Sequence, residues 1–186
     1  MADQSVHMKQ FEEAKTLHND GVDGDKLAVL KANEMLLKLR EAEPDHALIE
    51  AYYGSTLVLL GRDAVKILDK ADKAQEGLDA LNRAVALNAN DKEIRWLRGN
   101  ICLRLPESFF HCSETAIEDF TFLLDRYKEN SSYLTQKQVG EVLRNLSAAY
   151  QNAGKPDKAD AVSQRLVKWE QKINHKKGGA ETVDIR

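Results

Sequence analysis

Apolar residues recur at helical spacing along almost the whole chain. Phe11, Ala14, Leu17 and His18 form a first face, and Leu27, Leu30, Leu37 and their neighbours form a second, which Glu43-Pro44 stops. Asp45 reads as the N-cap of a third helix from Ala47 to Leu60, closed by Gly61. Asp63 opens a fourth run to about Leu87, and Asn88-Ala89-Asn90-Asp91 is a turn and cap. Ile94, Leu97, Ile101 and Leu105 make the next face, ended by Pro106. Ser113 starts a helix through Phe120 and Tyr127, which Asn130-Ser131-Ser132 breaks. Thr135 caps a helix through Leu143 and Tyr150, ended by Gly154. Pro156 sits at the start of the last helix, where proline is tolerated because the first turn has no N–H to lose. All three prolines fall between helices, as a chain of short antiparallel helices requires.

Composition sharpens this picture. Only 3 Pro and 10 Gly occur in 186 residues, so helix breakers are scarce. Hydrophobic residues make up 42% and charged residues 31%, with a net charge of −3, which supports a buried core and argues against a disordered polyelectrolyte. The sequence therefore predicts an all-α fold of about eight helices in antiparallel pairs, roughly 5–43, 45–88, 91–129 and 135–173. These make one domain over 1–173, with a polar, flexible tail over 174–186.

The pairs repeat one another. Leu143, Leu146, Ser147, Tyr150, Gly154 and Ala159 follow a large–x2–large–small–x2–Tyr pattern, then Gly, then Ala. Tyr53-Gly54-x2-Leu57 and Arg98-Gly99-x2-Cys102 give first helices, while Gly77-x3-Leu81-x2-Ala84 and Ala116-x3-Phe120 give second helices. This resembles the tetratricopeptide repeat, whose consensus is W-x2-L-G-x2-Y…A-x3-F…P. The resemblance covers roughly residues 45–168 and implies an α-hairpin repeat array wound as a right-handed superhelix. Gly54, Gly99, Ser147 and Ala159 would give paired helices room to approach. The spacing of these pairs exceeds the roughly 34 residues of the family repeat. The extra length is expected within pairs, as lengthened connections around Arg62–Asp72 and Pro106–Cys112. Glu50 and Arg95 stand where a large aromatic is expected.

Candidate chemistry is sparse. The chain lacks a G-x4-G-K-[S/T] phosphate loop, a G-x-S-x-G elbow and an H-E-x-x-H pair. Cys102, His111 and Cys112 are close in sequence, but adjacent His-Cys suits one tetrahedral ion poorly. No catalytic, cofactor or metal residues are assigned, and the chain is expected not to be an enzyme. Two cysteines without a basic, apolar leader fit a reduced, cytoplasmic setting. No stretch is long and apolar enough to span a bilayer. Residues 1–93 hold 12 basic and 18 acidic side chains, and residues 94–186 hold 15 and 12. That asymmetry is mild, and neither nucleic acid nor membrane is an expected partner.

The expected partner is a protein or peptide. In the family the first helix of each pair lines a concave groove. Carried over by spacing, the groove would include Leu48, Ala51, Ser55 and Val58, then Glu93, Trp96, Asn100 and Arg104, then Arg144, Ala148, Gln151 and Asn152. Of the set of Lys and Asn that grips a terminal carboxylate only Asn100 fits, with Ala51, Trp96 and Ala148 where Lys or Asn would be wanted, so such a clamp is not expected. Phe109 and Phe110 in the Pro106–Cys112 segment either plug the array or contact a partner. An adaptor or assembly factor is the primary reading. The alternatives are a helical enzyme or ligand-binding protein with a pocket near 106–112, and a self-associating homo-oligomeric repeat protein.

Overall fold

The computed structural model describes the backbone of residues 2–178 and the side chains of residues 5–174. These residues are all-α, with no strand among them. The helices are α1 (Ala2–Val22), α2 (Lys26–Ala42), α3 (Ala47–Asp63), α4 (Ile67–Leu87) and α5 (Lys92–Arg104). A single turn, α6 (Glu107–Phe110), precedes α7 (Ser113–Glu129), α8 (Gln136–Asn152) and α9 (Pro156–Gly178). Eight of these helices are long, α1/α2, α3/α4 and α8/α9 pack as hairpins, and the extra element is the short α6. The backbone of α9 continues as helix past Asn174, where the sequence reads a tail; residues 179–186 lie outside the described residues.

Local chemistry sets the boundaries. The Asp25 carboxylate accepts from the amides of Leu27 (2.9 Å) and Ala28 (3.0 Å) at the start of α2. Asp91 does the same for Glu93 (2.8 Å) and Ile94 (3.1 Å) at α5. Thr135 and Gln138 form a reciprocal capping box at α8. At α3 the cap is His46, whose Nδ1 accepts from the Ile49 amide at 3.3 Å, one residue later than the Asp45 expected from sequence. After α8, Gly154 takes φ +67, a left-handed conformation that stops the helix.

The expected loop around Arg62–Asp72 is absent. Only residues 64–66 connect α3 to α4, and the added length has gone into the helices, of 17 and 21 residues. Gly61 does not end α3. It lies inside the helix, where a Cβ would stand 2.9 Å from the Lys70 carbonyl oxygen of α4. The second lengthened connection does exist and carries α6. His111 closes α6 with φ 50, and Glu107 Oε2 accepts from the amide (2.8 Å) and hydroxyl (2.5 Å) of Ser113, fixing the entry to α7.

The chain divides into two compact units, Met1–Ile101 and Cys102–Arg186. In the first, Phe11, Ala14, Ala32, Leu36, Leu39, Ile49 and Tyr52 build one core cluster, and Ala51, Leu81, Ala84, Val85 and Ile94 build a second. The second unit buries Phe120, Leu123, Val142, Leu143, Leu146 and Ala159.

Candidate functional site

The first unit carries a continuous polar row across α1, α3 and α5. Lys15 and His18 lie one turn apart on α1, and Tyr52 and Ser55 one turn apart on α3, so each pair meets its counterpart across the helix contact. The Tyr52 hydroxyl donates to Glu93 Oε1. Lys15 Nζ reaches the same oxygen at 3.3 Å and Glu12 at 3.6 Å. Its ammonium also stands over the rings of Phe11 and Tyr52, at 5.6 and 5.5 Å from their centroids. One turn deeper, His18 Nε2 and Ser55 Oγ are 2.7 Å apart, and the imidazole meets the Tyr52 ring edge-on at 5.0 Å.

Burial decides the protonation of this row. It pushes the His18 imidazole below its ordinary range, against the opposing pull of the Asn19 hydrogen bond and the Glu93 charge. Burial, then the bond to Glu93, drives the Tyr52 hydroxyl well above the usual phenol range. At neutral pH Tyr52 is therefore a donor and His18 a neutral ring. His18 and Ser55 stand at the separation of a base and its nucleophile. Both are sealed, however, at 2% and 4% exposure, which leaves no room for a substrate at the hydroxyl. The pair is a buried hydrogen bond that ties α1 to α3. What reaches solvent is the rim: Lys15, at 22% side-chain exposure, and Glu93, at 38%.

A second polar cluster explains the odd Glu50. This carboxylate, 3% exposed, is bonded to Arg40 Nε and lies 2.8 Å from Arg83 Nε. Arg40 in turn covers the Tyr53 ring at 4.9 Å. Where the repeat consensus places an aromatic, α3 carries a carboxylate held by guanidiniums from α2 and α4. Arg95, the other departure, is also buried and donates to the Ala89 carbonyl at 2.9 Å.

The expected groove residues fall into different settings. Ser55 is buried against His18 and presents nothing outward, which corrects its assignment as a surface contact. Glu93 belongs to the polar row. Trp96, one turn further along α5, is half-buried, and Asn100 Nδ2 donates back to the Trp96 carbonyl at 2.8 Å. In the second unit Arg104 is exposed, and Arg144 pairs with Glu170 at 3.1 Å on the surface. Gln151 and Asn152 are exposed, with Asn152 Nδ2 reaching the Leu103 carbonyl at 3.5 Å. Phe109 is 67% exposed and so does not plug the hairpins; Phe110, half-buried, packs beside it at 5.2 Å. Sequence reasoning missed Lys15, His18 and Tyr52. Their signal was a charged or polar residue on the buried stripe of each helix.

Cys102 and Cys112 are free and buried, and the Cys112 thiol donates to the Cys102 carbonyl at 3.5 Å. Hydrogen bonding with Cys102 lowers the Cys112 thiol from its ordinary range, against the cost of burial. Among the described residues no three His, Cys, Asp or Glu side chains converge to hold a metal. No helix among them is long and apolar enough to cross a membrane.

No family model matches the sequence, and no curated protein matches it. Solved structures do. One crystal structure of MamA protein superposes with a TM-score of 0.59 at 18% identity, covering 100% of this chain and 81% of that one. Another of MamA gives 0.54 at 18% identity, over 92% of this chain and 86% of that one. At this identity the likeness concerns the fold, a tetratricopeptide-like array of α-hairpins.

Proposed function

We propose that the chain belongs to the tetratricopeptide-repeat family and is a non-enzymatic protein-interaction module, an adaptor or assembly factor. It receives a peptide or helix on the face formed by α1, α3 and α5 in the first unit. The observation that carries this reading is the row Lys15–Tyr52–Glu93. It fixes three first helices to one another and leaves a cation, a carboxylate and the edge of Trp96 at the surface. Polar groups already held in place cost little entropy to present, and a half-buried tryptophan is a common anchor. Arg104, Arg144, Gln151, Asn152 and Phe109 are further contact residues in this proposal, on the second unit. The reading needs no cofactor.

The test is the double substitution Lys15→Glu/Trp96→Ala on the full chain. Lys15 is tied into the row and Trp96 is half-buried, so the variant should lose some stability; compared with wild type below its own melting temperature, it should lose bound protein partners from a native lysate. An unchanged set of partners would contradict the assignment.

Self-association is the second reading, and one observation favours it. Leu27, Leu30 and Leu37 share a stripe of α2 and are 60%, 52% and 38% exposed. This helix belongs to the first hairpin, α1/α2, and terminal repeats of such arrays are normally polar on their outer face. Light scattering on the wild type and on Leu27→Glu/Leu30→Glu separates the readings: a dimer or larger species converted to monomer supports self-association, and a monomeric wild type refutes it.

A further inference from the structure

The second unit holds a groove, independent of the face above, walled by α7 and α9 and floored by residues of α7 and α8. Its volume is about 310 Å³. Leu124, Val139 and Leu143 form an apolar floor, each of them buried, with Tyr127 and Trp169 at its sides. The Tyr127 and Trp169 rings meet edge-on at 5.8 Å, and the indole N–H donates to the Gln136 carbonyl at 3.4 Å, so the aromatic wall is fixed. Lys128, Arg165, Lys168 and Lys172 line the rim. Of these, Lys128 is paired with Asp125 at 2.7 Å, and the nearby Glu170 is engaged with Arg144 at 3.1 Å. Among the described residues Arg165, Lys168 and Lys172 have no ion-pair partner.

We propose that this groove docks an amphipathic helix whose apolar stripe is bordered by carboxylates. Charge complementarity selects the occupant: three exposed, unneutralised cations along α9 attract anions and repel basic segments. The aromatic sides add a second requirement, because Tyr127 and Trp169 are only half-buried and an anion alone would leave their rings uncovered. A nucleic-acid backbone meets only the first condition. The lining residues of α9, from Arg165 to Lys172, span about two helical turns at 1.5 Å per residue. A helix with apolar residues at i, i+3 or i+4, and i+7 matches that length and packs its ridge between those of α7 and α9.

The experiment titrates the full chain with a synthetic capped peptide carrying Leu at i, i+3, i+4 and i+7 and Glu on both flanks. Trp169 emission is the readout, in a Trp96→Phe background. Saturable binding is expected, weakened at least about tenfold when the peptide's Glu are changed to Lys, and again when its Leu are changed to Ser. Lys168→Glu and, separately, Arg165→Glu should weaken it comparably with unchanged melting, because both side chains are exposed. Three results would overturn the proposal: no saturable binding, equal binding of the Glu and Lys peptides, or tighter binding of an oligodeoxynucleotide or of phosphatidylserine vesicles than of the Glu peptide.

Discussion

The α3/α4 and α8/α9 hairpins are built to one plan and closed by different chemistry. In α3/α4 the backbones themselves touch. A Cβ on Gly54 would stand 2.7 Å from the Gly77 carbonyl oxygen, and one on Gly77 would stand 2.5 Å from the Gly54 carbonyl oxygen and 2.6 Å from Val58 Cγ2. Gly61, two turns along, repeats the close approach to Lys70. In α8/α9 the crossing residue is Ser147, whose hydroxyl donates to the Ala159 carbonyl at 3.0 Å and pairs with Ser163 at 2.8 Å. Gly140, two turns before Ser147, is buried but not pressed: a Cβ there would make ordinary contacts with Arg144 at 3.7 Å and Trp169 at 4.0 Å. The first hairpin is closed by backbone contact at three glycines, and the second by a hydroxyl bond at Ser147 and by side-chain packing. Trp169, beside Gly140, also lines the α7/α9 groove. Small residues at repeat positions thus close one interface by backbone contact and another by a hydroxyl bond.

The largest effect that would break this comparison is at Gly77. Gly77→Val should destabilise by about 3 kcal/mol or more, because backbone oxygen, not a flexible side chain, stands in the way. Thermal or urea unfolding checks it, and a loss under about 1 kcal/mol would remove the claim of backbone contact. Glu50→Ala comes next. It strands Arg40 and Arg83, which are partly exposed and can rehydrate, so a loss of about 1–3 kcal/mol is expected, smaller than for a fully buried pair. Ser147→Ala should cost about 1 kcal/mol, the net value of a buried hydroxyl bond.

Gly140→Ala sharpens the contrast because its sign is opposite. The new methyl makes ordinary contacts, and alanine favours helix over glycine by about 0.5–1 kcal/mol, so unfolding should shift toward greater stability. The smallest effect is electrostatic. Burial lowers the folded-state affinity of His18 for a proton, so its neutral form is the one folding favours. That contribution is complete above the unfolded imidazole range, near pH 6.5, and is lost as pH falls below it. His18→Gln should flatten the stability profile below that pH, and an unchanged slope would show that the ring titrates as freely as in the unfolded chain.

The sequence carried most of the fold and little of the face. Helical apolar spacing located every long helix, and the small residues Gly54, Ser147 and Ala159 stand at hairpin contacts as the repeat pattern requires. Gly61 misled because a glycine beside charged Arg62-Asp63 has the local signature of a helix end. Its role depends on α4, which local pattern does not encode. Ser55 misled for a related reason: spacing placed it on a first helix, but a histidine 37 residues away buried it. Lys15, Tyr52 and Glu93 could not be joined from sequence, since each belongs to a different helix. The α7–α9 groove was half visible as the basic run Arg165, Lys168 and Lys172; its apolar floor comes from two other helices.

Photocrosslinking tests the central claim, that partners sit on the first-helix face of the first unit, most directly. Benzoylphenylalanine placed at position 96 on α5, or at exposed position 75 on the second helix α4, reports which side a bound protein covers. The account predicts crosslinks to a protein partner from position 96 and none from position 75. Crosslinks from position 75 with none from position 96 would contradict it.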